Sequence, residues 1–96
     1  MDEESLLLGN NIHLAGFKDL DSSRMVVVKK IVGNYVKKFE ERYPEFLEIK
    51  IHLKKIHASE FEVQVDALIG SEHQNGEVTD YNLFFALDKA LSRALA

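Results

Sequence analysis

Cysteine is missing from the 96-residue chain, which excludes disulfide staples, thiol catalysis and cysteine-ligated zinc. One proline and five glycines are too few for a linker-rich or low-complexity chain. No apolar run approaches the ~20 residues that cross a bilayer. The opening Met1-Asp2-Glu3-Glu4 is acidic where a secretory leader would be basic, so the expectation is a cytoplasmic protein without a membrane partner. The motifs that impose a known mechanism are also missing: there is no Gly-rich phosphate loop with a lysine, no G-x-S-x-G and no H-E-x-x-H. The expected protein is therefore not an enzyme and carries no cofactor.

What is present is the composition of a globular domain, 46% hydrophobic and 29% charged with a formal net charge of -4. A chain of this length is one ordinary domain, able to build a single core without metal or disulfide. Residues 1–10, an acidic start followed by Leu6, Leu7 and Leu8, read as an N-terminal tail. Residues 11–96 read as the domain.

Residues 22–43 form one long amphipathic helix by periodicity. Met25, Val28, Val32, Tyr35, Val36, Phe39 and Tyr43 fall within about a third of the circumference, the stripe of a core-facing helix. Asp21, Ser22 or Ser23 can cap its start, and Pro44 marks its end. Before it, residues 11–17 alternate loosely through Ile12 and Leu14 and predict a first strand ending at Gly16.

After Pro44 the period changes to alternation. Leu47, Ile49, Ile51 and Leu53 oppose Glu48, Lys50, His52 and Lys54, so one strand face is buried. Phe61, Val63, Val65 and Ala67 repeat the pattern, and the short stretch between predicts an antiparallel hairpin with Lys54 facing Glu62, His52 facing Gln64 and Lys50 facing Asp66. Asn75-Gly76 predicts a tight turn leading into a short last strand over residues 77–81. Asn82 then caps a second helix with Phe84, Leu87, Leu91, Ala94 and Leu95 as its apolar stripe and Lys89 and Arg93 outside. The expected fold is α+β: a two-layer sandwich of order β-α-β-β-β-α, with a mostly antiparallel four-stranded sheet and both helices on one face.

No catalytic or metal constellation emerges. His13, His52, His57 and His73 fall on different elements without the spacing that gathers ligands, and Glu40 and Glu41 are neighbours on a solvated helix surface near Lys37 and Arg42. Charge, in contrast, is segregated. Residues 22–39 carry five basic side chains and no acidic one, and residues 18–55 carry ten basic and six acidic. A polyanion would feel that part locally although the whole chain is acidic. Lys30, Asn34 and Lys37 form the exposed stripe, with Lys29 and Lys38 on its flanks and Arg24 and Arg42 near the apolar border. Val26 and Val27 project from the same outer half, and with Leu6 to Leu8 they mark an alternative use of the chain as a protein-interaction or homodimerisation module.

The element order and two stretches resemble the short ribosome hibernation promoting factors, also described as ribosome-associated inhibitors. Residues 82–88, Asn-Leu-Phe-Phe-Ala-Leu-Asp, followed by Leu91 and Leu95, are similar to the capped aromatic start of that family's last helix. Val28, Ile31, Val32, Val36, Phe39 and Tyr43 fall where the family places the core residues of its first helix. The resemblance spans residues 11–96. It implies a non-catalytic protein that binds rRNA of the small ribosomal subunit near the decoding region and keeps ribosomes inactive, through basic side chains of the two helices. The matching positions are Lys29, Lys30, Lys37, Lys38, Arg42, Lys89 and Arg93. A double-stranded RNA-binding domain shares the layered layout but has the order α-β-β-β-α and a lysine cluster at the start of its last helix, where residues 82–86 have none.

Overall fold

A parallel pair of strands joined by a long helix forms the spine of the protein, in a computed structural model that describes residues 5–7, 11–57 and 59–96. Strand β2 (Ile12–Ala15) runs parallel to β3 (Phe46–Ile56), pairing Ile12 with Ile49 and Leu14 with Ile51. A parallel connection needs a crossover, and helix α1 (Ser22–Arg42) supplies it. Asp21 is the cap among the three candidates: its side chain accepts from the Arg24 N–H at 2.9 Å. Tyr43 closes the helix, its N–H donating to the Phe39 carbonyl at 2.8 Å, before Pro44 forbids continuation.

Strands β4 (Glu60–Ile69) and β5 (Glu72–Asp80) extend the sheet by two antiparallel hairpins, and helix α2 (Leu83–Leu95) returns across it, capped by the Asn82 side chain accepting from the Phe85 N–H. The order β-α-β-β-β-α is thus present from β2 onward, and both helices cover one face of the sheet. The expected hairpin register holds, with Lys50 opposite Asp66, His52 opposite Gln64 and Lys54 opposite Glu62. Leu14, Ile49, Ile51, Leu53, Val63, Val65 and Ala67 point inward and are buried against Val28, Val32, Val36 and Phe39 of α1 and Leu83, Ala86, Leu87, Ala90, Leu91 and Ala94 of α2.

Four expectations are corrected. Part of the N-terminal tail belongs to the sheet: β1 (Ser5–Leu7) pairs antiparallel with β2 and gives it a short fifth, edge strand. The turn before the last strand is at Gly70 and Ser71, where Gly70 takes φ +61, a left-handed value natural to glycine. Asn75 and Gly76 lie within β5, which starts earlier than expected and pairs Asn75 with Asp66 and Gly76 with Val65. Leu47 is not inward: the register shifts between Phe46 and Glu48, Phe46 takes the inner position with its ring 5.4 Å from that of Phe39, and Leu47 is left 53% exposed. A bulge shifts alternation by one residue, which no periodicity in the strand announces.

The second helix buries a smaller-residue stripe than its bulky side chains suggest. Ala86, Ala90 and Ala94 lie against the sheet, while Phe84 and Leu95 are only partly buried at the margins. The reason is Gly76: a Cβ there would overlap the Ala90 carbonyl and stand 2.9 Å from the Ala94 nitrogen. A glycine in the strand under an alanine-faced helix lets the two backbones approach closely.

Candidate nucleic-acid interface on the helical face

The buried side of α1 decides where its lysines point. Val28, Val32, Val36 and Phe39 fix the inner side by burial, so residues rotated by about half a turn face solvent. Lys30, Asn34 and Lys37 are therefore the outermost ridge, within about 60° of one another at 3.6 residues per turn, and Val26 and Gly33 stand beside it on one side, all of them exposed. Lys29 and Lys38 flank it on either side.

The seven candidate contact residues do not share one environment. Lys29, Lys30 and Lys37 are exposed and make no ion pair with any described residue. Lys38 holds its Nζ 4.7 Å from the centroid of the Tyr35 ring, and Lys89 of α2 holds its own 5.9 Å from that of Phe85, cation–π contacts worth about 0.5 to 1 kcal/mol at exposed sites. Arg42 donates through Nη1 to the Leu95 carbonyl at 3.2 Å, and Arg93 to the Glu77 carbonyl at 2.9 Å. These two arginines tie α1 to the end of α2 and α2 to β5. Each guanidinium has five donors, so the tie leaves others for a ligand. Arg24 lies beside the Asp21 cap, 3.6 Å from its carboxylate.

The helices are locked to each other next to this surface. The Tyr35 hydroxyl donates to Asp88 Oδ1 at 3.0 Å, and the Tyr43 hydroxyl to the Leu95 carbonyl at 2.7 Å. Burial, then the Asp88 carboxylate it serves, raise the Tyr35 hydroxyl above the usual phenol range. A joined α1–α2 pair sets the backbone positions from which the exposed cations project.

The opposite face of the sheet is different in kind. The register gathers His13, His52 and His73 on it, three of the histidines that the chain order keeps apart. His73 Nδ1 lies 2.9 Å from Asp66 Oδ2 and His13 Nε2 3.4 Å from Glu48 Oε1, while Lys50 reaches Glu48 at 3.9 Å. Glu77 hydrogen-bonds Glu62 carboxyl to carboxyl, so Glu77 keeps its proton above the usual carboxylate range and Glu62 loses its own below it. An open trough of about 370 Å³ runs between Lys50, His52, Gln64, Asp66, Asn75 and Glu77. Acids and bases alternate here, so the face attracts no single sign of charge. Among the described residues no group of three or more His, Cys, Asp or Glu could hold a metal ion, and no helix is long and apolar enough to cross a membrane.

Three exposed residues had no functional reading from the sequence. Phe85 is 49% and Tyr81 68% exposed; a Phe84-Phe85 pair at a helix start gives no sign of which ring turns out. Gly33 sits in the middle of α1, where glycine is about 1 kcal/mol less favourable than alanine, yet a Cβ there would meet nothing within 4 Å. Packing against the described residues gives that glycine no reason. Val26, 60% exposed, and Val27, 37% exposed, are on the outside as expected; Leu8 and the side chains of Leu6 and Leu7 lie outside the described residues. No family model and no curated protein matches the chain.

Proposed function

We propose that the protein is a non-catalytic, ribosome-associated factor of the hibernation type, which binds small-subunit rRNA in the cytoplasm through the basic faces of its two helices. The observation that carries the reading is the outer side of α1, where Lys29, Lys30 and Lys37 project into solvent with no acidic residue on the helix before Glu40. Ammonium groups held on a rigid helix recognise phosphates by charge and reach, without a fixed sequence motif. The β-α-β-β-β-α order adds support by its resemblance to that family. Lys38 and Lys89 extend the array. Arg42 and Arg93 contribute through the donors left over from their backbone ties.

The test is co-sedimentation with purified small ribosomal subunits over a salt series. Binding at low salt that weakens steeply as salt rises, and that is lost in the double variant Lys30→Glu, Lys37→Glu, supports the reading. A protein that stays at the top of the gradient at low salt sinks it.

A second reading is favoured by the exposure of Val26 and Val27: a homodimerisation module without RNA binding. It requires a doubled mass in light scattering that persists in high salt and drops to the monomer on Val26→Ser, Val27→Ser substitution.

A further inference from the structure

Gly33 is a residue of α1 whose identity neither the described core nor helix propensity accounts for. It is exposed beside the outermost ridge, at a height between Lys30 and Lys37, which are about 10.5 Å apart along the axis. Among the described residues nothing stands within 4 Å of where its Cβ would be, and its backbone is ordinary helix, outside the positive-φ positions Gly16 and Gly70. An intrinsically weak helix residue, placed where no neighbour demands it, is explained by something outside the chain that approaches closer than a side chain allows.

Charge identifies what approaches. The flanking groups on the ridge are two ammonium groups, no acid occurs from residue 22 to residue 39, and Asn34 beside Gly33 offers an uncharged donor and acceptor. A second copy of α1 would bring four ridge lysines together, which like-charge repulsion opposes. We infer that Gly33 is a contact site for a sugar–phosphate strand of RNA, which crosses α1 at the bare backbone with Lys30 and Lys37 reaching phosphates on either side of the crossing. This deepens the rRNA-binding reading and rests on it: the lysines supply the attraction and the glycine the close approach. Asn34 is the group placed to hydrogen-bond a ribose 2′-hydroxyl, the atom that separates RNA from DNA.

The test compares Gly33→Ala and Gly33→Leu with the wild type in two measurements, thermal melting and binding to purified small ribosomal subunits at several salt concentrations. Both residues are better helix formers than glycine and meet no neighbour, so Tm holds or rises. Affinity falls for Ala and by about tenfold or more for Leu. The slope of log affinity against log salt is unchanged, because no charge has been removed, whereas Lys30→Gln lowers it by about one phosphate contact. Stability and binding moving in opposite directions is a signature that a purely structural glycine does not produce. If the wild type binds, the lysine variants weaken it and Gly33→Leu binds like the wild type, the contact at Gly33 is refuted while the rRNA reading stands. If the wild type binds no subunits, the rRNA reading fails and takes this one with it. A wild-type dimer that Gly33→Leu splits into monomers overturns the proposal in favour of a second copy at the same place.

Discussion

Gly76 of β5 lies directly beneath the Ala90 carbonyl of α2, so close that a Cβ at position 76 would overlap that oxygen. The contact sets the distance between the second helix and the sheet, and through it the depth at which Ala86, Ala90 and Ala94 are buried. Gly76→Ala is expected to destabilise the fold by about 1 to 3 kcal/mol, as overpacking does, read as a lower urea midpoint at unchanged m-value. Gly33→Ala, with open space around it, should show the opposite sign, and the pair tests whether close approach or helix propensity governs each glycine.

Phe39 anchors the end of α1, fully buried and packed on Phe46 at 5.4 Å between ring centroids. Phe39→Ala is expected to cost about 3 to 5 kcal/mol, the range for emptying a large aromatic site. Chemical denaturation measures it, and a value below about 1 kcal/mol would show that the cavity collapses.

The Tyr35–Asp88 bond joins the helices at the border of the lysine face. Since the folded-state hydroxyl titrates above its unfolded value, its contribution is complete below the ordinary phenol range and is lost as pH rises through the folded pKa. Tyr35→Phe should therefore lower stability at neutral pH and flatten its decline in strong alkali, which denaturation at a series of pH values checks. An equal alkaline decline in both proteins would place its cause elsewhere.

Glu62 and Glu77 are expected to titrate on opposite sides of the normal carboxylate range, because one proton is shared between them. The raised Glu77 stabilises the fold below its unfolded pKa and ceases to do so as pH rises through its folded one. The depressed Glu62 does so above its unfolded pKa and ceases as pH falls through its folded one. Side-chain carboxyl NMR shifts followed against pH should give one early and one late titration, merging toward ordinary behaviour at Glu62 in Glu77→Ala.

The arginines and the lysines of the helical face should separate experimentally. Arg42→Gln and Arg93→Gln remove bonds to the Leu95 and Glu77 carbonyls, each worth about 1.5 to 3 kcal/mol when the donor is charged and buried and less at this exposure. They are expected to lower Tm by a few degrees. Lys30→Glu should leave Tm nearly unchanged and reduce subunit binding. The reverse pattern would move the contact surface from α1 to the margin of α2.

Much of this protein follows from local pattern. Val28, Val32, Val36 and Phe39 recur at helical spacing; Ile49, Ile51, Leu53 and Val63, Val65, Ala67 alternate; and Asp21, Asn82 and Pro44 mark element ends by chemistry that acts within a few residues. The hairpin register followed as well, since a one-residue slip would have turned the buried valines to water. The lysine face was legible because burial of one stripe dictates exposure of the other. Tertiary structure alone decided the rest. Asn75-Gly76 has the chemistry of a turn, but the packing of α2 needs a glycine in the strand, and the turn moves to Gly70. Ser5–Leu7 becomes a strand only because β2 offers an edge to pair with. His13, His52 and His73 share a face because pairing is long-range, and Arg42 and Arg93 are drawn to carbonyls dozens and sixteen residues away, respectively. Periodicity reports which side of an element is apolar. Where two elements meet, how closely, and which exposed groups are already engaged depend on contacts between residues far apart in the chain, which local pattern does not encode.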